Sequence, residues 1–563
     1  MTGLDGLPGA SRRMAFLQVA FAGHNRSEDL GEHAEVSAGL SCVFSLLAEA
    51  GVGRARLLTG LAPGADQLAA KAWRAHGLGP VHAVFPHLGD GSGAAAKRLM
   101  DAATWLDGRR TEKGGRNPHL AQTRWLIASA DLLVAVWTGR EARGGGGTAD
   151  AVRLALEHGI PVLWVKTQAA GAILLIRPEH LDDDFGFLEF MEELRFEREP
   201  LVTPATAQAL GRTLRHLEDP EDEPGPPSPA PRWKLLQPLW RTYAVFRRLL
   251  GGSAPPFAPR SAPADLVAQP GFGLLTEAQR RADEQASRLG AVHRSQQIIL
   301  LALAIIAATV GSAAAFWPGI KLVSMIVELS LAVIALLIWR DSERGRRHEQ
   351  WGAARRLAED LRLERVAWTL GVNTGSHKGD LSSGVQARRA RRIAGLPEGR
   401  FDQARVRAWG DWSVAELISG QGAYHRAQAA INGHMAHRVH QIENISFIAF
   451  LSVLTGYVAA SLVLGLEAAH TPGWLGALVA MTGAVVPAIG AATLALEATL
   501  SLAEEARRSE VLASRLEAIA GGLGPEPRIE ALQAAAKAAI RLARVQEDHW
   551  LEGTGRRRLY RGG

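Results

Sequence analysis

Four strongly apolar stretches stand out in the second half of the 563-residue chain. They occupy residues 298–317, 322–339, 445–466 and 474–496. A helix needs about 20 apolar residues to cross the hydrocarbon core of a bilayer, and each stretch approaches or exceeds that length. Short connections join the first stretch to the second and the third to the fourth. The pattern therefore predicts two transmembrane hairpins.

Shorter apolar runs alternate with helical patterns in residues 1–168. The runs lie at 17–22, 56–58, 81–85, 131–137 and 161–165, and the helical stretches lie at 34–50, 65–76, 121–128 and 148–158. Nearly continuous apolar strands with helices between them are typical of a parallel, doubly wound sheet. The predicted fold is an α/β Rossmann-like parallel sheet domain, followed by an all-α membrane region of four transmembrane helices with long cytoplasmic stalk helices.

The membrane half contains a sequence repeat. The pattern HRxxQI precedes the first and third apolar stretches, at 293–298 and 437–442. The related segments LRLERVAWTLG and SRLEAIAGGLG follow the second and fourth stretches, at 361–371 and 514–524. Two matches in the same order around the same element indicate a duplicated unit.

The chain is accordingly divided into five parts. The prediction is a sheet domain at 1–200, a Pro/Gly-rich linker with an amphipathic helix at 201–275, a first two-helix transmembrane unit at 276–371, a cytoplasmic connector with a basic tract at 372–422, and a second such unit with C-terminal helices at 423–563.

Charge decides the predicted orientation. Lys321 is the single basic residue in the two hairpin loops, so the positive-inside rule places both termini and the central segment 340–444 in the cytoplasm. The 63 basic residues are spread along the chain, which makes nucleic acid an unlikely partner. The single cysteine, Cys42, excludes an intramolecular disulfide and any multi-cysteine zinc site, and no metal is expected.

Three further segments have open interpretations. Residues 233–250 are predicted to form a basic, aromatic helix, either at the membrane surface or against the sheet domain. The arginines of the basic tract at 388–392 could face anionic lipid headgroups or lie in a solvated loop. Glu328 is the one acid inside an apolar stretch, so it is a candidate for pore lining or gating, or for a hydrogen bond to a neighbouring helix.

Polar and glycine-rich segments follow three of the predicted strands. Ligands of parallel sheets bind beyond the carboxyl ends of the strands, where helix N-termini offer backbone N–H groups to anions. The segments therefore predict a phosphate or nucleotide site. The candidate residues are Gly23, His24, Arg26, Thr59, Gly60, Gly64, Asp66, Gly144, Gly145, Gly147 and Thr148. Neither a GxxxxGK[ST] motif nor a GxGxxG after the first strand is present, which disfavours ATP hydrolysis by a Walker loop and an ordinary dinucleotide site.

The segments LLTGLAPGADQLAAKAW, ASADLLVAVWTG and GGGGTADAV resemble the SLOG superfamily, which includes the DNA-processing protein A and Lonely Guy phosphoribohydrolase families. The paired hairpins between long helices resemble SLATT transmembrane effector domains. The resemblance implies that the candidate residues bind a nucleotide-derived second messenger, with no other cofactor. It also implies an oligomeric effector of antiviral defence in the bacterial inner membrane, which forms a pore or disrupts the bilayer.

One departure from the family pattern bears on catalysis. The phosphoribohydrolases resemble GGxGTxxE, in which the glutamate is catalytic, whereas this chain has Ala151 at that position and its nearest acid, Asp150, one residue earlier. One residue along a helix rotates a side chain by about 100°. The departure favours a sensor over an enzyme. A membrane-anchored nucleotide phosphoribohydrolase or N-glycosidase is the alternative.

Overall fold

The computed structural model describes residues 17–24, 33–49, 55–87, 90–91, 93–106, 118–140, 146–167, 173–176, 241–252, 260–314, 317–344, 346–372, 374, 382–464, 473–524 and 527–559. Three candidate residues, Arg26, Gly144 and Gly145, lie outside these ranges. So do the loop predicted for the second hairpin and most of the predicted linker.

The N-terminal half forms one sheet. Its strands are β1 (Leu17–Gly23), β2 (Ala55–Thr59), β3 (Val81–Phe85), β4 (Ala102–Leu106), β5 (Leu132–Trp137), β6 (Val162–Lys166), β7 (Ile173–Ile176) and β8 (Gly399–Phe401). Their spatial order is β7-β6-β5-β1-β2-β3-β4-β8, with parallel pairs throughout except for the antiparallel β6–β7 pair. The predicted Rossmann-like parallel sheet is confirmed.

Helices cover both faces of the sheet, which is why its strands are apolar runs and do not alternate. They are α1 (His33–Glu49), α2 (Ala65–Ala75), α3 (Ala94–Leu99), α4 (Pro118–Ala128) and α5 (Thr148–Glu157). The first three share one hydrophobic core with the sheet, and α4 and α5 belong to the core on the other face.

The remainder of the described chain is helical apart from β8. Its helices are α6 (Thr242–Leu249), α7 (Ala264–Val267), α8 (Pro270–Ala314), α9 (Lys321–Arg344), α10 (Arg347–Leu370), α11 (Ser382–Ala394), α12 (Gln403–Val414), α13 (Gly420–Leu464), α14 (Gly473–Leu500), α15 (Leu502–Gly521) and α16 (Ile529–Leu559). A π-helical turn, Ala415–Ser419, leads into α13. The described part of the predicted amphipathic helix is α6. It packs against α8, where the Tyr243 amide donates to Ser295 Oγ at 3.2 Å.

The two membrane units have the same order of elements. Each begins with a 45-residue helix, α8 or α13, continues into a hairpin partner, α9 or α14, and ends with a third helix, α10 or α15. The hairpin partner and the returning helix are separated by a residue with left-handed backbone, Arg346 (φ 44°) in the first unit and Ser501 (φ 49°) in the second. The unit is therefore one folding motif used twice.

Four of the described helices are long and apolar enough to cross a membrane, as predicted. At most 11% of each apolar window is buried inside the protein. Leu322, Val323, Ile445 and Leu462, for example, have exposed side chains. Apolar surface on this scale is expected where lipid is the surrounding solvent.

The segment between the two membrane units completes the sheet. Strand β8 pairs in parallel with β4, and the chain before it docks at the amino-terminal edge of the sheet. There the Gln18 side-chain amide donates to the Arg392 carbonyl at 2.9 Å, and Thr104 Oγ1 donates to the Pro397 carbonyl at 2.5 Å. The sheet therefore depends on a strand that the sequence did not predict.

The basic tract is helical, and two of its four arginines are buried, which contradicts a lipid surface or a solvated loop for these two. Arg392 forms an ion pair with Asp131 at 2.7 Å, and Arg391 forms one with Glu364 at 2.9 Å and donates to the Val372 carbonyl. A run of arginines has the composition of a solvated surface. The partners that neutralise these two lie elsewhere in the chain, so the sequence did not indicate their burial.

Candidate functional site

The sheet has its topological switch point between β1 and β5. Strands β2, β3 and β4 follow on one side of β1, while β5 and β6 lie on its other side, so the connections diverge from the carboxyl ends of β1 and β5. His24 follows β1, and its Nε2 accepts a hydrogen bond from the Thr138 amide, which follows β5, at 3.2 Å. This is the position where doubly wound sheets bind their ligands.

Gly23 allows helix α2 to approach the end of β1. A Cβ at Gly23 would lie 2.5 Å from the Cβ of Ala65, the first residue of α2. The Ala65 amide donates to the His24 carbonyl at 3.3 Å. The glycine is needed because only a hydrogen fits between the strand end and the helix N-terminus.

The segment after β2 forms a turn that Thr59 and Asp66 hold together. Thr59 Oγ1 donates to Asp66 Oδ2 at 3.1 Å and accepts from the Leu61 amide at 3.1 Å, while the Ala62 amide donates to Asp66 Oδ2 at 3.4 Å. Leu61 and Gly64 both have positive φ, 48° and 104°. The turn thus presents its backbone directly in front of α2.

Asp66 is the titratable group of this turn. Burial raises its pKa from 3.8 to about 7, although the hydrogen bonds from Thr59 and Ala62 act in the opposite direction. Desolvation disfavours the charged carboxylate more than the hydrogen bonds favour it. Asp66 therefore changes charge near neutral pH, so the charge of this turn depends on the pH.

Helix α4 joins the separate strand ends. Gln122 Nε2 donates to the carbonyl of Val84, in β3, at 2.6 Å, and the same amide lies against Gly60, where a Cβ would be 2.6 Å from it. Thr123 Oγ1 donates to the Gly146 carbonyl at 3.0 Å, in front of α5. Gln122, Thr123 and Thr138 were missed by the sequence reasoning because no glycine or charge pattern marks them.

The N-terminus of α5 is organised by Asp150. Its Oδ2 accepts from the Gly146 amide at 2.7 Å, and its Oδ1 forms an ion pair with Arg153 at 3.0 Å. Gly147 is the N-cap of α5, and Thr148 and Ala151 are buried. Asp150 therefore caps its own helix, and Ala151, which stands where the GGxGTxxE pattern has its glutamate, faces the core.

The candidate residues fall into two places. Gly23, His24, the Thr59–Asp66 turn and the described α5 residues Gly147 and Thr148 lie at the carboxyl edge of the sheet and are linked through α4. Glu328 lies in the membrane half: Ser324 Oγ donates to its Oε1 at 3.3 Å, and a Cβ at Gly311 of α8 would be 2.7 Å from that oxygen. Its carboxylate thus lies in the contact between α8 and α9.

In the part of the chain that the structure describes, no group of three His, Cys, Asp or Glu side chains is arranged to hold a metal ion. None of the protein-family models, curated proteins or solved structures compared with the chain matches it.

Proposed function

We propose that this chain is a membrane effector of a bacterial antiviral defence system. Its SLOG-like sheet domain binds a nucleotide-derived signal, and binding gates pore formation or membrane disruption by SLATT-like hairpins in an oligomer. The protein lies in the inner membrane with both termini in the cytoplasm, as the distribution of basic residues suggests.

The observation that carries this proposal is the position of helix α4 between the site and the stalk. Gln122 on α4 contacts the candidate site, while Trp125, one turn further, packs at the end of stalk helix α10, where a Cβ at Gly371 would be 2.3 Å from its ring. Trp125 also packs edge-on against Phe401 of β8, with ring centroids 5.0 Å apart. A ligand that displaces α4 would therefore also displace the end of stalk helix α10.

The cores of the two halves support the same coupling. One continuous hydrophobic cluster includes sheet residues such as Val84 and Trp137 and stalk residues such as Leu275, Val366 and Leu516. Packed cores transmit displacement because they have few voids to absorb it. The connector also occupies the amino edge of the sheet, so the site at the carboxyl edge lies at the opposite end of the strands.

A ligand can open the pore only if it binds the open or assembled state more tightly than the resting state. The direct test is ligand-dependent release of a trapped dye from proteoliposomes. A panel of mononucleotides, dinucleotides and cyclic dinucleotides is added outside vesicles in which the sheet domain faces outward. We expect at least one compound to cause release in the wild type and not in Thr148→Glu, which places a negative charge at the N-terminus of α5.

Ala34→Glu is the matched control, since it adds the same charge at an exposed position of α1 in the same domain. Release that is independent of every compound, or release that Thr148→Glu and Ala34→Glu reduce alike, would contradict the proposal.

The alternative function is a membrane-anchored nucleotide phosphoribohydrolase or N-glycosidase. The engagement of Asp150 by Gly146 and Arg153 disfavours it, because no acid then stands at the position of the family's glutamate. Incubating the full chain in detergent with the same nucleotides and measuring free base separates the two functions. The full chain is required because β8 comes from residues 399–401.

A further inference from the structure

A large polar cavity lies between the two membrane units, in the cytoplasmic stalk. Its volume is about 1620 Å³, and it is lined by residues of α6, α8, α10, α13, α15 and α16. It extends to Trp339 near the end of α9 and to Leu500 at the end of α14. The cavity therefore reaches the cytoplasmic ends of the membrane-crossing helices.

One wall of the cavity carries an arginine between two aromatic rings. The Arg294 guanidinium lies 5.0 Å from the ring centroid of Tyr243 and 5.0 Å from that of Trp351. Among the described residues, no carboxylate forms an ion pair with it. Stacking holds the planar cation in a fixed orientation while leaving its N–H groups for another acceptor.

Two histidines extend this wall. The His293 ring stacks on Trp351 with centroids 5.6 Å apart and an interplanar angle of 27°, and the His348 ring lies 5.0 Å from His293. Both histidines line the cavity. The wall thus combines a fixed cation, imidazole N–H groups and an aromatic surface, and these groups recognise phosphate and attached organic groups.

Three of the carboxylates that line the cavity are paired with other arginines. Glu359 is paired with Arg362, and Glu504 and Glu505 are approached by Arg508, which lies outside the lining. Arg294 acts on Glu505 only at a distance, as one of three arginines that do so, and no carboxylate among the described residues forms an ion pair with it.

Other lining side chains have polar atoms that lack a partner. His425 Nδ1 and Gln279 Oε1 are buried and form no hydrogen bond among the described residues. Burial lowers the pKa of His425 to about 4, so its imidazole is neutral at physiological pH. A buried polar atom without a partner costs free energy that a bound ligand or water can recover.

We propose that this cavity binds an anionic ligand that carries a phosphate group, with Arg294 contacting the phosphate. Such a group could belong to an anionic phospholipid, whose headgroup enters from the inner leaflet beside Trp339, or to a soluble phosphate compound from the cytoplasm. A ligand in this position contacts both membrane units at once. It would hold them in one relative arrangement, independently of the site on the sheet.

The test uses the purified full chain in a neutral detergent. In one arm, inorganic pyrophosphate is titrated and its binding is measured by calorimetry. In the other, phosphatidylglycerol is added to the detergent micelles and the change in tryptophan fluorescence is followed. We expect saturable binding in at least one arm, and at least about tenfold weaker binding by Arg294→Gln, equivalent to the loss of one charge-assisted contact. Pyrophosphate binding identifies a soluble ligand, and binding of phosphatidylglycerol alone identifies a lipid.

Arg288→Gln is the matched control, because Arg288 is exposed on the same helix and does not line the cavity. Ser287→Trp provides a second variant that narrows the cavity and leaves every charge in place, so weaker binding is expected there too. Absence of binding in both arms, or equal binding by Arg294→Gln and Arg288→Gln, would overturn the proposal.

Discussion

Arg346 and Ser501 occupy the same place in the two membrane units and share the same unusual backbone. Each separates a membrane-crossing helix from the helix that follows it, α10 or α15, with φ of 44° and 49°. Among the described residues, Leu61 is the only other non-glycine residue with positive φ. An L-residue pays roughly 1–2 kcal/mol for this conformation. The recurrence indicates that the sharp change of direction belongs to the duplicated unit and is not a local accident.

The stability of Ser501 variants should depend on how easily each residue adopts positive φ, and not on the size of its side chain. Ser501→Gly should be more stable than Ser501→Val by about 1–2 kcal/mol, since glycine adopts positive φ freely and a β-branched residue does not. The exposed helical residue Ser514 is the control: there, Ser514→Val should be more stable than Ser514→Gly by a few tenths of a kcal/mol. Urea unfolding of the full chain in detergent gives both differences. If the valine variant were more stable than the glycine variant at both positions, Ser501 would not be strained.

The Arg392–Asp131 pair should be a major contributor to the docking of the connector. Its side chains are 5% and 10% exposed, so Asp131→Asn removes the negative charge of a buried ion pair while the guanidinium of Arg392 stays charged. We expect a loss of about 3–5 kcal/mol in the free energy of unfolding. Glu157→Gln, which breaks the exposed Arg153–Glu157 pair, should cost less than about 1 kcal/mol. Comparable losses in the two variants would contradict a structural role for the buried pair.

His82 should make the sheet domain sensitive to acid. Burial lowers its pKa from 6.5 to about 3, and its Nε2 is 2.8 Å from Thr104 Oγ1. Between pH 6.5 and pH 3 the unfolded chain binds a proton that the folded chain does not. The contribution of His82 to the stability therefore falls as the pH is lowered through this range, by about 1.4 kcal/mol per pH unit at the steepest.

The measurement is the free energy of unfolding of the full chain from pH 7 to pH 4. His82→Gln should remove about one proton from the slope, whereas His33→Gln, at an exposed position of α1, should leave the slope unchanged. A slope that is the same in all three proteins would show that His82 is not the responsible group.

Asp66 should contribute a pH dependence of stability opposite in sign to that of His82. Because its pKa is raised to about 7 in the folded protein, the folded chain holds a proton between pH 4 and pH 7 that the unfolded chain releases. Stability therefore falls as the pH rises through this range and is constant above it. Asp66→Asn should lose this dependence, and its stability relative to the wild type should be greater at pH 8 than at pH 5. A difference in stability between Asp66→Asn and the wild type that is the same at pH 5 and pH 8 would contradict the raised pKa.

The sequence predicted the parts of the fold that carry local patterns. Strands β1, β3 and β5 are predominantly apolar runs, and the four membrane-crossing helices are long apolar stretches, so both can be recognised without knowledge of their neighbours. Strand β4 was not predicted although it has as many residues as β3, and β8 has only three residues. The pairing of β8 with β4 joins residues almost 300 positions apart, which no local pattern encodes.

The candidate site also contains some residues that a local pattern marks and others that it does not. Gly23 and Gly64 were found because glycine is needed where a helix approaches closely or where φ is positive, as the structure shows at both positions. Gln122 and Thr138 contact the same edge of the sheet through a side-chain amide and a backbone N–H. Such groups become recognisable only once the topology has brought their elements together.

Strand β8 has a consequence for the order of events during biosynthesis. The ribosome completes the first hairpin before it reaches residues 399–401, so β4 has an uncovered outer edge while that hairpin enters the bilayer. The sheet is therefore completed only after the first hairpin has been synthesised, and until then the outer edge of β4 can pair with other strands.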